Sequence, residues 1–188
     1  LGHGARVGTS SPRRAAQLLA LRPDLSIVPL RGNVATRLAK IAAGEADATL
    51  LAAAGLDRLG LDEGAAIPLD LLLPAPAQGA VGVTVRADDP CRELVAAIDH
   101  AATSAAVMLE RAFLAALVAD CHSSVAALAE IVGGRVDFRA EILLPDGSER
   151  RQARFDAAPA DAPAAVAALA ATLLAAASPA LRGLFGPG

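Results

Sequence analysis

The stretch Ala5-Arg6-Val7-Gly8-Thr9-Ser10-Ser11-Pro12-Arg13-Arg14 reads as a short strand, Ala5–Gly8, running through a glycine turn into a helix. Ser10 or Ser11 can cap that helix, and Pro12 suits its first turn. The pattern continues to about Leu21, where Arg22-Pro23-Asp24 stops it. Leu25–Leu30 is an apolar strand, and Asn33 then caps a second helix through Ile41 that Gly44 ends. Asp47–Ala53 reads as another buried strand, with a short helical turn around Leu56–Leu59. Strand, helix, strand, helix, strand at these spacings implies an α/β architecture: a mainly parallel sheet with helices on both faces.

Downstream the pattern changes. Leu69–Pro76 is proline-rich and reads as a linker or domain crossing. Gln78–Arg86 has the Val/Thr alternation of a strand inside a sheet. A helix is expected from about Thr103 to Leu117, with Leu109, Phe113, Leu114 and Leu117 at helical spacing. Three strand-like runs follow, Val125–Val132, Val136–Leu144 and Arg150–Phe155, separated by the hairpin signals Gly133-Gly134 and Pro145-Asp146-Gly147-Ser148. A last helix spans about Ala162–Ala177. The second half is therefore expected to be a small α+β domain with an antiparallel sheet.

Charge is distributed unevenly. Leu1–Lys40 carries seven cationic side chains and one acidic one, Asp24, although the chain as a whole has 17 Lys/Arg against 20 Asp/Glu. Four of those cations, Arg13, Arg14, Arg31 and Arg37, fall in Gly8–Arg14 and Leu30-Arg31-Gly32-Asn33-Val34-Ala35-Thr36-Arg37. Both motifs place Gly, Ser, Thr or Asn and arginines at a strand-to-helix corner, where free backbone N–H groups and guanidinium forks suit an anion. In a parallel sheet such corners gather at the carboxyl ends of the strands, so the two can converge on one ligand. Arg58, just after the third strand, could join the rim. The alternative for each motif alone is an ordinary capped helix with solvated arginines.

Composition narrows the partners. The chain has no Trp or Tyr and four Phe, so no aromatic platform for bases accompanies the arginines, and a net charge of −3 lacks the basic excess of a duplex binder. Nucleic acid is disfavoured. No apolar run reaches the roughly 18 residues needed to cross a bilayer. Two cysteines, Cys91 and Cys121, form neither a disulfide framework nor a CxxC metal site, and are read as thiols of a reducing cytoplasm. Cys121, in Ala119-Asp120-Cys121-His122-Ser123-Ser124, is either a nucleophile or attachment point or a small buried hydrophobe. Cys91 looks like a surface thiol. His3 and His100 have no metal-type partners nearby.

Taken together, the motifs resemble the porphobilinogen deaminase (hydroxymethylbilane synthase) family. The likeness runs through Gly8–Leu18, Pro29–Leu38, Gly44-Glu45-Ala46-Asp47-Ala48, Leu51–Gly60, Leu73–Gly82, Glu110-Arg111-Ala112-Phe113-Leu114 and Cys121. It implies an enzyme of tetrapyrrole (haem) biosynthesis that condenses four porphobilinogen units into linear hydroxymethylbilane with release of ammonia. It implies a dipyrromethane cofactor, thioether-linked to Cys121, on which the oligopyrrole chain grows. By the match, Arg13, Arg14, Arg31, Arg37 and Arg58, with Thr9 and Ser11 as loop donors, bind the acetate and propionate side chains of cofactor and substrate.

The resemblance also implies three domains arranged like a periplasmic binding protein. Residues 1–75 would be most of the second, 76–100 a returning segment of the first, and 101–188 the third, carrying the cysteine. The family's catalytic aspartate would lie before Leu1, so no catalytic residue is assigned here and residues 1–188 alone are not expected to make hydroxymethylbilane. Asp120 and Ser124 stand where the family usually has Gly and Pro. No metal, nucleic acid or membrane partner is implied, and the complete protein is expected to be a cytoplasmic monomer. The competing readings are a non-catalytic anion-binding remnant and a structural remnant that does not fold.

Overall fold

The computed structural model describes residues 1–186. Strand β1 (Arg6–Gly8) gives way to helix α1 (Pro12–Leu21) at Ser11, whose extended backbone (φ −94°, ψ 117°) and side-chain oxygen, accepting from the Arg14 N–H, form the cap, with Pro12 in the first turn. Strand β2 (Ser26–Val28) and helix α2 (Val34–Ala42) repeat the unit. There Asn33 Oδ1 accepts both the Thr36 N–H and the Thr36 hydroxyl at 2.9 Å. Strand β3 (Ala48–Thr49) and the short helix α3 (Ala53–Leu59) complete this part.

All pairing is parallel and the order is β2-β1-β3, so β1 is central. The first crossover steps to one side of β1 and the second crosses to the other. With right-handed connections, α1 and α2 then lie on opposite faces. The strands are shorter than the apolar runs suggested: Leu25–Leu30 pairs over three residues and Asp47–Ala53 over two, with Ala53 opening α3. Both pair with β1 alone, and its three residues set the limit. The core here is small, with Ala5, Val7, Leu25 and Leu50 buried and Leu18, Ile27 and Leu72 against them.

The strand expected over Gln78–Arg86 does not form. Among the described residues neither sheet takes it up, and Val81, Val83 and Val85 are 83%, 54% and 40% exposed. Alternation can make a segment competent to pair, but a strand needs a neighbour for its backbone. Helix α4 (Arg92–Ala96), a five-residue element the sequence reading lacked, follows.

Helix α5 (Ala101–Leu117) is capped by His100 Nδ1, which accepts the Thr103 N–H. Strands β4 (Val125–Val132), β5 (Arg135–Leu143) and β6 (Arg150–Ala157) form an antiparallel meander, closed by α6 (Ala162–Ala176) and the single turn α7 (Pro179–Arg182). The first hairpin turns at Gly133 and Gly134, both at positive φ (58° and 75°), as the primed two-residue turn requires. Val136, Phe138, Ala140 and Ile142 of β5 enter a core with Leu109, Phe113 and Leu117 of α5 and Val166, Leu169 and Leu173 of α6. Phe138 meets Phe113 edge to face at 5.8 Å and stacks on Phe155 at 5.3 Å.

The alternate residues of β5, Arg135, Asp137, Arg139 and Glu141, occupy the other face. Register places Asp137 opposite Asp156 and Arg139 opposite Arg154. Ion pairs therefore run to offset partners: Arg139 to Glu130, Arg154 to Asp137, Arg135 to Asp156 and Arg150 to Glu141. Part of this charged face meets α1, and there the two halves of the molecule join.

Candidate functional site: an arginine-lined corner of the parallel sheet

The order β2-β1-β3 puts the reversal of direction beside β1, and ligands in such sheets gather outside the carboxyl ends of the strands at that point. The loops leaving β1 and β2 meet there for a steric reason. A Cβ on Gly8 would lie 2.8 Å from the Leu30 side chain, so glycine lets the end of β2 close onto β1. The Ser10 hydroxyl then donates to the Leu30 carbonyl at 3.2 Å and ties one loop to the other. The sequence reading did not assign this role to Ser10.

Arg14 leaves the first turn of α1 and donates from Nη1 to the Leu50 carbonyl (3.0 Å), reaching across to the exit of β3. It is half-buried. Its pKa is lowered first by burial and then by the positive charge of Arg37. Arg37 is oriented by its own Nε bond to the Gly32 carbonyl at 2.9 Å. Arg31, on the loop before Asn33, is exposed, and so is Arg58 in the last turn of α3. A Cβ on Gly55 would come within 3.3 Å of Val34, which places α3 beside the first turn of α2. The two expected arginine corners are thus neighbours. Like charges brought to one corner repel, and an anion bound there would remove that repulsion.

The loop hydroxyls face inward. Thr9 is buried, its Oγ1 accepting the Ser11 N–H at 3.2 Å, while Ser11 Oγ is occupied as the cap of α1. Both shape the loop that presents Arg14.

Arg13 is placed differently from Arg14. It is 6% exposed and donates to the Gln17 side chain, the Leu73 carbonyl and Gln78 Oε1. Burial lowers its pKa to about 10, with Arg14 adding to the fall and Glu141 opposing it, so it remains charged at neutral pH. Beyond Gln17 lies Glu141, fully buried, whose carboxylate accepts from Gln17 Nε2, from Arg150 Nε (2.7 Å) and from Gln152 Nε2 (2.9 Å). The sequence signalled this network only by the polar alternation of β5. That α1 would bury its middle depends on tertiary packing.

Cys121 is exposed in the loop between α5 and β4, which overturns the reading of it as a small buried hydrophobe. Asp120 shapes the loop: its Oδ1 accepts the His122 N–H (2.9 Å) and the Ser123 hydroxyl (3.1 Å). These bonds hold its carboxyl below the usual carboxylate range and keep a negative charge next to the thiol. Cys91 is also exposed, as expected. Among the described residues there is no cluster of three or more His, Cys, Asp or Glu suited to a metal ion, and no helix is long and apolar enough to cross a membrane.

Fold and site together define a class: an α/β protein with an arginine-lined corner, joined to an α+β domain that displays an exposed thiol. Residues 1–93 match the family model described as porphobilinogen deaminase, dipyromethane cofactor binding domain, and residues 104–175 that described as porphobilinogen deaminase, C-terminal domain. Curated relatives named porphobilinogen deaminase include those of Sphingopyxis alaskensis, 58% identical over 98% of this chain and 59% of the relative, and Thermobifida fusca, 49% identical over 89% and 54%. A third, from Nitrobacter winogradskyi, is 49% identical over 86% and 54%. The chain belongs to the porphobilinogen deaminase family, and it spans little more than half the length of these relatives.

Proposed function

We propose that this chain supplies the anion-binding and cofactor-bearing part of an enzyme that condenses four porphobilinogen units into hydroxymethylbilane with loss of ammonia, in tetrapyrrole biosynthesis in the cytoplasm. The observation that carries this reading is the joining of the two arginine-bearing loops at the carboxyl end of a parallel sheet, where Gly8 packs on Leu30 and Ser10 bonds its carbonyl. Each pyrrole of the growing chain bears an acetate and a propionate, and guanidinium forks hold such carboxylates in register. Arg31 and Arg58 extend the same rim into solvent, Thr9 and Ser11 shape the loop, and Arg13 adds charge from beneath the helix end.

The exposed Cys121 thiol and this cationic rim fit a covalently held, carboxylate-bearing dipyrromethane, with Cys121 as the thioether attachment point. When bound, that group primes chain growth. The protein's part is to fix its side chains and screen their charge. In this reading residues 1–75 form most of the family's second domain and residues 76–100 return to the first, which the exposed Val81–Val85 supports. Residues 101–188 form the third domain. A second reading, an anion-binding module without turnover, is favoured by Asp120, whose negative charge beside the thiol opposes an acidic group there.

Titration calorimetry with porphobilinogen tests the shared core of both readings. Arg14→Ala or Arg37→Ala is expected to weaken binding about tenfold or more, the scale of one lost charge-assisted contact. Affinity unchanged in both variants overturns it. Intact-mass measurement of the chain made in tetrapyrrole-producing cells then separates the two: an adduct on Cys121 supports the first, and a bare thiol the second.

A further inference from the structure

Arg13 and Arg14 are neighbours on α1, so their side chains leave the helix about 100° apart. Which of them reaches the anion corner is decided by the roll of α1 about its own axis. Apolar packing does little to set that roll where α1 meets the antiparallel half, because its buried residues are Arg13, Ala16 and Gln17. Two of the three are polar, they sit four residues apart on one face, and both donate to the Leu73 carbonyl.

We propose that Glu141 is a positioning residue that fixes the roll of α1 through Gln17, holding Arg13 inside the molecule and leaving Arg14 to face Arg37. Glu141 sits mid-strand on β5 with its carboxylate completely enclosed. From the strand side it is held by Arg150 and Gln152 of β6, and from the helix side by Gln17. A buried carboxylate tolerates few arrangements of its donors, since losing one leaves charge or an amide unpaired away from water. Buried polar contacts of this kind are best suited to specifying register, here the angular register of a helix against a sheet. If α1 rolled by one residue, Arg13 would move toward the corner, Arg14 would leave Leu50, and Gln17 would face away from Glu141. The assignment deepens the proposed function, since it matters for binding only if Arg14 is a ligand.

Phenylglyoxal labelling of arginines, mapped by fragment mass spectrometry, reads the roll without any ligand. In the parent chain Arg14 and Arg31 are expected to label and Arg13 to be protected. Gln17→Leu removes the contact from the helix side and also Arg13's own acceptor, so Arg14 is read beside Arg13: a roll frees Arg14 from Leu50 and changes its labelling too, whereas a lost local bond changes Arg13 alone. Gln17→Leu should raise Arg13 labelling about tenfold, the factor that corresponds to losing roughly 1.4 kcal/mol of local protection. Glu141→Leu, which leaves the Arg13–Gln17 bond in place, should do the same, and the double variant should go no further, because the Gln17–Glu141 bond that holds the roll is the one contact both changes break. Arg182 serves as the unmoved reference. Arg13 as protected in Gln17→Leu as in the parent, or additive effects in the double variant, would overturn the proposal. Porphobilinogen affinity measured on Gln17→Leu distinguishes the two levels: a roughly tenfold loss accompanies the relabelling if Arg14 is the ligand. Unchanged affinity with relabelling refutes the anion-corner reading and leaves the role of Glu141 standing.

Discussion

The two halves of this molecule are built to different standards. The antiparallel half has strands of eight and nine residues around one continuous core that includes both Phe113 and Phe138. The parallel half has strands of two or three residues around a small cluster of Ala5, Val7, Leu25 and Leu50. The arginines lie on the weaker half, and that half is braced from outside through Gln17, Glu141 and the β5–β6 hairpin. An anion corner needs like charges close together and polar loops at helix ends, and both leave little apolar material for a core. The thin half carries the site, and the thick half holds it in shape.

The largest test of this contrast removes the centre of the thick half. Phe138→Ala deletes a ring buried between two others and is expected to cost about 3–5 kcal/mol. Denaturant unfolding should show the loss, and hydrogen exchange should show α1 loosening along with the sheet. An N-terminal half whose protection is untouched would mean that it does not lean on the other.

A smaller effect is expected at the junction. Gly147 has φ +72°, and a Cβ there would stand 2.7 Å from the Leu19 carbonyl carbon and 2.8 Å from the Ala16 carbonyl oxygen. Gly147→Ala meets both a left-handed backbone and the main chain of α1, costing about 1–3 kcal/mol. The sheet core should keep its exchange protection while α1 loses some. Equal loss in both halves would break the distinction.

The smallest effect is in pH, where the halves should respond differently between neutrality and about pH 5. Asp24, bonded by Arg22 and the Gly4 N–H, and Asp47, bonded by Arg6, have pKa values below the ordinary 3.8. Their contribution is present above that value and is lost as pH falls through the lower folded one, which weakens the parallel half in acid. Glu110, between the Ala77 and Ala129 N–H groups, is pushed above its ordinary 4.5 by burial. Its contribution is complete below 4.5 and is lost as pH rises through the higher folded value. Moving from neutrality to about pH 5 should therefore firm the antiparallel half slightly and leave the parallel half unchanged. Exchange rates that shift the same way in both halves would contradict this.

Much of this was readable from the residues. The caps at Ser11 and Asn33, the glycine hairpins and the periodicity of α5 are local signals, and each produced its element within a residue or two. The adjacency of the loops that carry Arg14 and Arg31 followed from two consecutive β–α corners. The fate of Gln78–Arg86 was not readable, because alternation reports what a segment can bury and says nothing of whether a partner strand stands beside it. The separation of Arg13 from Arg14 was hidden for a related reason. Adjacent arginines look equivalent in a sequence, and the packing of α1 against β5 tells them apart.

Like charges confront one another across β5 and β6, Asp137 against Asp156 and Arg139 against Arg154. Sliding β6 by two residues would set Asp137 against Arg154 and Glu141 against Arg150, but the native alignment already makes both pairs diagonally, so the charges are satisfied without a slip. The native alignment is kept by the opposite face, where it brings Phe138 onto Phe155, and by the tight Pro145–Ser148 turn. The aromatic stack and the diagonal ion pairs thus agree on one register, and a slip would cost the meander its stack.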